Sequence, residues 1–218
     1  MTSLNFTAAR ALRFAVLTAV AAALAAGCSN GNGIGSTTPS VVKAADTAPV
    51  PVTAKSALGP LYKAGLAWSS DVQLMRLSPK EVPGFKNADG KAAMWEAAFG
   101  SAAHHQVRMY TYSVATVLPE IHKGVTASLA LPWAGPTREA MPVDMGLFTV
   151  DSDTAYAASA KDAADWLKKN PDKQLATLDL GSTYRYRAPA WYVSWGDPKK
   201  NGYVVLIDAT SGNIYSHK

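Results

Sequence analysis

Trp191-Tyr192-Val193-Ser194-Trp195-Gly196 repeats, 96 residues later, the pattern of Trp95-Glu96-Ala97-Ala98-Phe99-Gly100. In each hexad the first, third and fifth residues are apolar and share one face of a strand, because successive side chains point to opposite sides. Working outward at the same offset, Gln106 to Val114 (QVRMYTYSV) matches Gly202 to Thr210 (GYVVLIDAT) without a gap. Upstream, Gln73-Leu74-Met75-Arg76-Leu77 pairs with Gln174-Leu175-Ala176-Thr177-Leu178 at offset 101. A helix-like stretch carrying one tryptophan precedes each copy. The order helix, strand, strand, strand therefore occurs twice, and the expected fold class is α+β: two αβββ-type repeats forming antiparallel sheet with helices packed on one face.

Local signals agree with that order. The second helix is expected near Asp153 to Lys169, with Asp151, Ser152 and Asp153 as N-cap candidates, Lys168 and Lys169 in its last turn and Asn170-Pro171 as the stop. Tyr156, Ala160, Ala163, Ala164 and Leu167 are its expected apolar stripe. The first helix, near Ser56 to Ser70, offers Leu61, Ala64 and Trp68. Lys199-Lys200-Asn201-Gly202 reads as a hairpin turn, since Asn-Gly accepts positive φ. Asp208-Ala209-Thr210-Ser211-Gly212 reads as another, with the Asp carboxylate accepting backbone N–H bonds and Gly212 in the left-handed region.

The span from Tyr203 to Tyr215 (YVVLIDATSGNIY), following a strand with Trp191 and a preceding helix, resembles the closing hairpin of a PepSY domain. The unit of that family is similar in turn to the repeats of β-lactamase inhibitor proteins. The match covers about residues 153 to 216. Across 61 to 127 it rests on the repeat, because Tyr112 stands where Asp208 stands and no counterpart of Gly212 follows. The resemblance implies a module that binds or inhibits partners, as in peptidase propeptides and envelope lipoproteins.

The N-terminus gives an address. Arg10 and Arg13 precede an apolar run, Phe14 to Ala26, that ends at Gly27-Cys28. This is the layout of a secretory signal, well short of the roughly 20 apolar residues that a membrane span requires. Leu24-Ala25-Ala26-Gly27-Cys28 resembles the bacterial lipobox, although Leu24 lies one position further from the cysteine than is usual; the alternative is an ordinary secretory signal with an incidental cysteine. The lipobox reading implies cleavage after residue 27 and acylation of Cys28 by lipid chains such as palmitate, which anchor the protein to a membrane. Ser29 in place of Asp implies the outer membrane, facing the periplasm. Residues 28–55, poor in large apolar groups, read as the lipidated cysteine and a flexible linker about 30 Å in mean reach. The first repeat is then 56–135 and the second 136–218, joined by Trp133 to Met145 (WAGPTREAMPVDM), whose Pro, Gly and mixed charges suit a surface crossover.

Composition bounds the function. The chain has 218 residues, 48% hydrophobic and 17% charged, enough for a sizeable core. A single cysteine excludes an internal disulfide framework and any multi-thiol metal cluster. Removing residues 1–27 takes two arginines and no acids, leaving 19 basic against 16 acidic side chains. So small an excess does not call for nucleic acid, and export makes it an unexpected partner.

Catalytic patterns are not found. His104-His105 sits in a Ser-Ala-Ala-His-His setting expected to be a solvated turn, and adjacent strand residues could not share a metal. Asp151-Ser152-Asp153 lacks EF-hand spacing and is more simply a helix cap. No G-x-S-x-G elbow occurs, and Glu96 and Glu120 have no paired carboxylate in view. The expectation is no enzyme, no cofactor and no metal.

The candidate binding face combines Arg108, Tyr110 and Tyr112, alternating along one strand, with Tyr184, Arg185, Tyr186 and Arg187 on the strand leading to Trp191, all placed on the sheet face opposite the helices. Tyr and Arg dominate protein interfaces, but aromatic residues are also what strands ordinarily use. Two functions remain open. One is non-catalytic binding of a protein or peptide, such as inhibition or modulation of an exported peptidase. The other is a structural envelope role, contacting peptidoglycan, lipid headgroups or an outer-membrane assembly through Arg185, Arg187, Lys199 and Lys200.

Overall fold

The computed structural model describes residues 48–217. The expected signal segment 1–27, Cys28 and most of the expected linker lie outside the described residues.

Helix α1 (Ala54–Trp68) leads into strands β1 (Gln73–Lys80), β2 (Met94–Ser101) and β3 (Gln106–Ser113), with short β4 (Gly124–Ala127) and β5 (Leu131–Pro132) both pairing with β3. A long connection then reaches α2 (Ser152–Asp162) and α3 (Ala164–Lys169), followed by β6 (Leu175–Gly181), β7 (Ala190–Trp195), β8 (Tyr203–Asp208) and β9 (Ile214–His217). The strands form one antiparallel sheet in the order β4-β3-β2-β1-β6-β7-β8-β9. The two αβββ units are thus mirrored about the β1–β6 seam, where Arg76 pairs with Gly181 and Leu77 with Leu180. This is the expected α+β architecture.

The repeat extends to atomic detail. Trp95 Nε1 donates to the Val52 carbonyl at 2.9 Å, and Trp191 Nε1 donates to the Val150 carbonyl at 2.9 Å. Each indole therefore fastens the residue that leads into its helix, giving a buried N–H the partner it needs. The ladder register shifts between Leu74 and Arg76 in β1 and between Leu175 and Thr177 in β6, the positions equated at offset 101. The offset drops to 96 afterwards because 13 residues (81–93) join β1 to β2 but only 8 (182–189) join β6 to β7.

The core lies between sheet and helices. Trp95, Ala97, Phe99, Trp191 and Val193 are fully buried on the helix-facing side. Phe99 packs against Gly65 of α1, where an added Cβ would meet the ring at 3.3 Å, and Trp195 packs against Tyr156 of α2. The buried stripe of the second helical segment differs from expectation. It is Ser152, Ala155, Ser159 and Ala163; Tyr156 is only half-buried, and Leu167 lies beyond a break at Ala163. Small side chains at helical spacing let α2 sit close to the sheet, so that tyrosine reaches in from the side.

The folded body also starts earlier than Ser56. Val52 exchanges two backbone hydrogen bonds with Ala92, and Ala54 is fully buried. The N-termini of the two helices meet: Ala54 N donates to Ser152 Oγ at 2.9 Å and Lys55 N to Asp151 Oδ1 at 3.0 Å, while Asp151 also accepts from Ser152 N at 2.7 Å. One carboxylate thereby satisfies donors of two helix ends. Both expected turns are present. Asn201 has φ 61°, Gly212 has φ 80°, and Asp208 accepts from Thr210 N and Ser211 Oγ, each at 2.8 Å.

Candidate binding groove on the helix-free face

Residues paired across an antiparallel ladder share a face. Arg108, Tyr110 and Tyr112 pair with Phe99, Ala97 and Trp95, so all three lie on the helix side and not on the opposite face where they were expected. Tyr110 is 2% exposed and stands edge-on to Phe99 at 5.8 Å. Arg108 spans the Tyr110 ring and donates through Nε to the Ser128 carbonyl at 2.7 Å. Tyr112 is part of the packed interior. These residues hold β3 to its neighbours.

Tyr184, Arg185, Tyr186 and Arg187 form no strand either. They occupy a bend between β6 and β7, closed by Thr183 N donating to the Tyr186 carbonyl at 2.9 Å. Alternating Tyr and Arg mimics a strand, but neither set faces the core. The bend does reach the helix-free side. Tyr184 is 54% exposed and carries Arg138 over its ring at 4.8 Å and Arg187 at 5.4 Å; Arg185 lies over Tyr186 at 5.3 Å.

The helix-free face is not flat. A groove of about 490 Å³ runs over the seam between the repeats, within the size range of ligand sites. Its floor comes from Ala98 of β2, Met75 and Arg76 of β1, Gly181 of β6, Tyr192 of β7 and Leu206 of β8. The bulge in β1 explains two consecutive floor residues, since an extra residue re-aims the side chains around it. Trp133 forms one wall. Its indole lies against Gly100, where a Cβ would come within 2.8 Å, and the Trp133 backbone N–H donates to the His105 carbonyl at 2.9 Å. Glu139 and Ala140 line the groove from the crossover segment, which is tied to the bend by Met141 N to the Ser182 carbonyl (2.9 Å) and Tyr184 N to the Arg138 carbonyl (2.8 Å).

Tyr186 lines the opposite wall and stacks on Tyr215 of β9 at 5.0 Å. Burial, then the nearby Asp208 carboxylate, pushes the Tyr215 phenol above its ordinary value. Burial would raise Asp208, but the bonds from Thr210 N and Ser211 and the neighbouring Tyr215 hydroxyl outweigh it, and the carboxyl titrates below its usual range.

Of the expected face, only the 184–187 bend borders this groove. Sequence reading missed Trp133, Arg138, Tyr192 and the β1 bulge. Tyr192 had a signal: between buried Trp191 and Val193 it must point away from the helices. Trp133 had a weaker one, as a tryptophan outside the repeated helix and strand positions.

His104-His105 lies in the tight β2–β3 turn as expected, with His105 at φ 51° and His104 stacked on Trp68 at 5.6 Å. Among the described residues no three His, Cys, Asp or Glu side chains gather in a metal-binding group, and no helix is long and apolar enough to cross a membrane.

No protein-family profile matches the chain, and no curated protein matches it. Among solved structures, a "putative lipoprotein" of Clostridium difficile 630 is similar with a TM-score of 0.46 and 10% identity, over 74% of this chain and 91% of that one.

Proposed function

We propose that this chain is a non-catalytic envelope lipoprotein that holds an exported protein or peptide on the helix-free face of its sheet. The address rests on the Leu24-to-Cys28 motif and Ser29, which favour acylation at Cys28 and the periplasmic side of the outer membrane. The observation that carries the binding role is the groove at the seam of the two repeats, whose lining is largely apolar and also carries Arg76, Glu139 and Asp179, a mix that suits an interface centre. An exported peptidase fits as partner, because such enzymes offer extended loops that a shallow groove can receive.

Crosslinking in the native envelope followed by capture tests this, with the full chain compared against Tyr192→Lys and Cys28→Ser. The expected result is one dominant exported protein, lost with Tyr192→Lys, and a Cys28→Ser form released from the membrane fraction. Capture unchanged by Tyr192→Lys would move the binding role off the groove. Capture of barrel proteins or peptidoglycan in its place would make the protein a structural element of the envelope.

A further inference from the structure

Arg138, Arg185 and Arg187 are exposed on the two tied segments, next in sequence to the groove-lining residues Glu139 and Tyr186. Each guanidinium lies over a tyrosine ring, two of them over Tyr184. Among the described residues none of the three forms an ion pair, although lysines elsewhere pair with Glu96, Asp165, Asp172 and Asp197. The rings fix the direction of the guanidiniums and reduce the entropy lost when they bind, but ring faces leave the in-plane N–H donors free. Like charges gathered without an ion-paired carboxylate repel one another, and an incoming carboxylate relieves that repulsion. Such a fork favours bidentate carboxylate recognition.

Resting on the reading of the groove as a protein-binding site, we infer that its occupant is an acidic peptide segment with one large apolar side chain. That side chain inserts between Trp133 and Tyr192, and flanking carboxylates meet Arg138, Arg185 and Arg187. Two features favour a peptide over a lipid acyl chain. The groove is not a closed cavity, and its lining carries Glu139 and Asp179 as well as Arg76, so donors and acceptors of both signs are available to a backbone. Ser182 in the groove lining is buried with its Oγ unpartnered.

The test is fluorescence anisotropy with the full lipidated chain in detergent micelles and three labelled synthetic peptides: a central Phe flanked by Glu and Asp, the same Phe flanked by Lys, and the acidic sequence with Gly for Phe. The acidic Phe peptide is expected to bind tightest, more weakly as salt rises. Arg138→Gln with Arg187→Gln should weaken it about tenfold or more, while Lys199→Gln on the distant β7–β8 turn leaves it unchanged. Circular dichroism of each variant checks folding; if the double variant unfolds, Arg185→Gln carries the same expectation alone. Equal binding of the Lys-flanked peptide, or no loss in the arginine variants, overturns the inference. So does arginine-dependent binding to phosphatidylglycerol vesicles without binding of the acidic peptide. A protein captured in the envelope at the groove without acidic preference defeats this inference alone, whereas no capture there removes the parent reading too.

Discussion

Asp71 shows how much of this fold hangs on single polar side chains. Its Oδ1 accepts from Ser69 Oγ and Ser101 Oγ, each at 2.6 Å, and its Oδ2 from Ala103 N at 2.8 Å. The Ser101 bond, then the Ser69 and Ala103 bonds, hold the carboxyl far below the usual carboxylate range. It thereby pins the β2–β3 turn to the end of α1, and a group lowered in this way stabilises the fold fully above the unfolded value near 4 and progressively less as pH falls towards the folded value. Asp71→Asn is therefore expected to lower the melting temperature by a constant amount from pH 7 to 5, with the gap to wild type narrowing below about pH 4. A gap independent of pH down to the acid transition would mean that the carboxylate charge plays no part. At the same scale Trp95→Phe and Trp191→Phe should each cost about 1–3 kcal/mol in urea unfolding, because each shrinks a fully buried side chain and removes its indole hydrogen bond to the Val52 or Val150 carbonyl. A near-zero cost for either would break the equivalence of the repeats.

The elements were largely legible in sequence because the signals are local. Period-two alternation placed β2 and β7, the offset of 101 marked the bulged strands, and Asp151 was a readable cap. The face of β3 was also readable in principle. A turn at 102–105 pairs Ser101 with Gln106, hence Phe99 with Arg108, and residues opposite a core aromatic are themselves core-facing; alternation alone gives two faces without saying which is which. What lay beyond sequence was non-local. Nothing in Trp133 to Met145 indicates that it folds back over the sheet, since its anchors are Gly100, Ser182 and Leu74 in distant elements. The meeting of the helix ends is of this kind, and two substitutions probe it. Asp151→Ala should cost about 2 kcal/mol, the upper end for a cap, since it frees donors in both helices. Gly90→Ala should destabilise by about 1–3 kcal/mol, because Gly90 has φ 73° and an added Cβ would fall 2.3 Å from the Ser152 carbonyl. Chemical denaturation of both variants checks this, and a wild-type midpoint for Gly90→Ala would contradict the close approach.

At the scale of the whole molecule, duplication explains why one face is closed and the other open. Two αβββ units joined edge to edge through β1 and β6 give a single sheet whose helices both lie on one side. Among the described residues no helix covers the other side; the crossover and the β6–β7 bend fill part of that space and leave the groove between them. The central claim is that this uncovered face is where a partner binds. Site-specific photocrosslinking in cells tests it most directly, with the crosslinking residue placed in the full chain at Tyr192 on the groove floor or at Lys63 on the exposed side of α1. The account predicts a discrete protein adduct from position 192 and none from position 63. Adducts from 63 with none from 192 would contradict it.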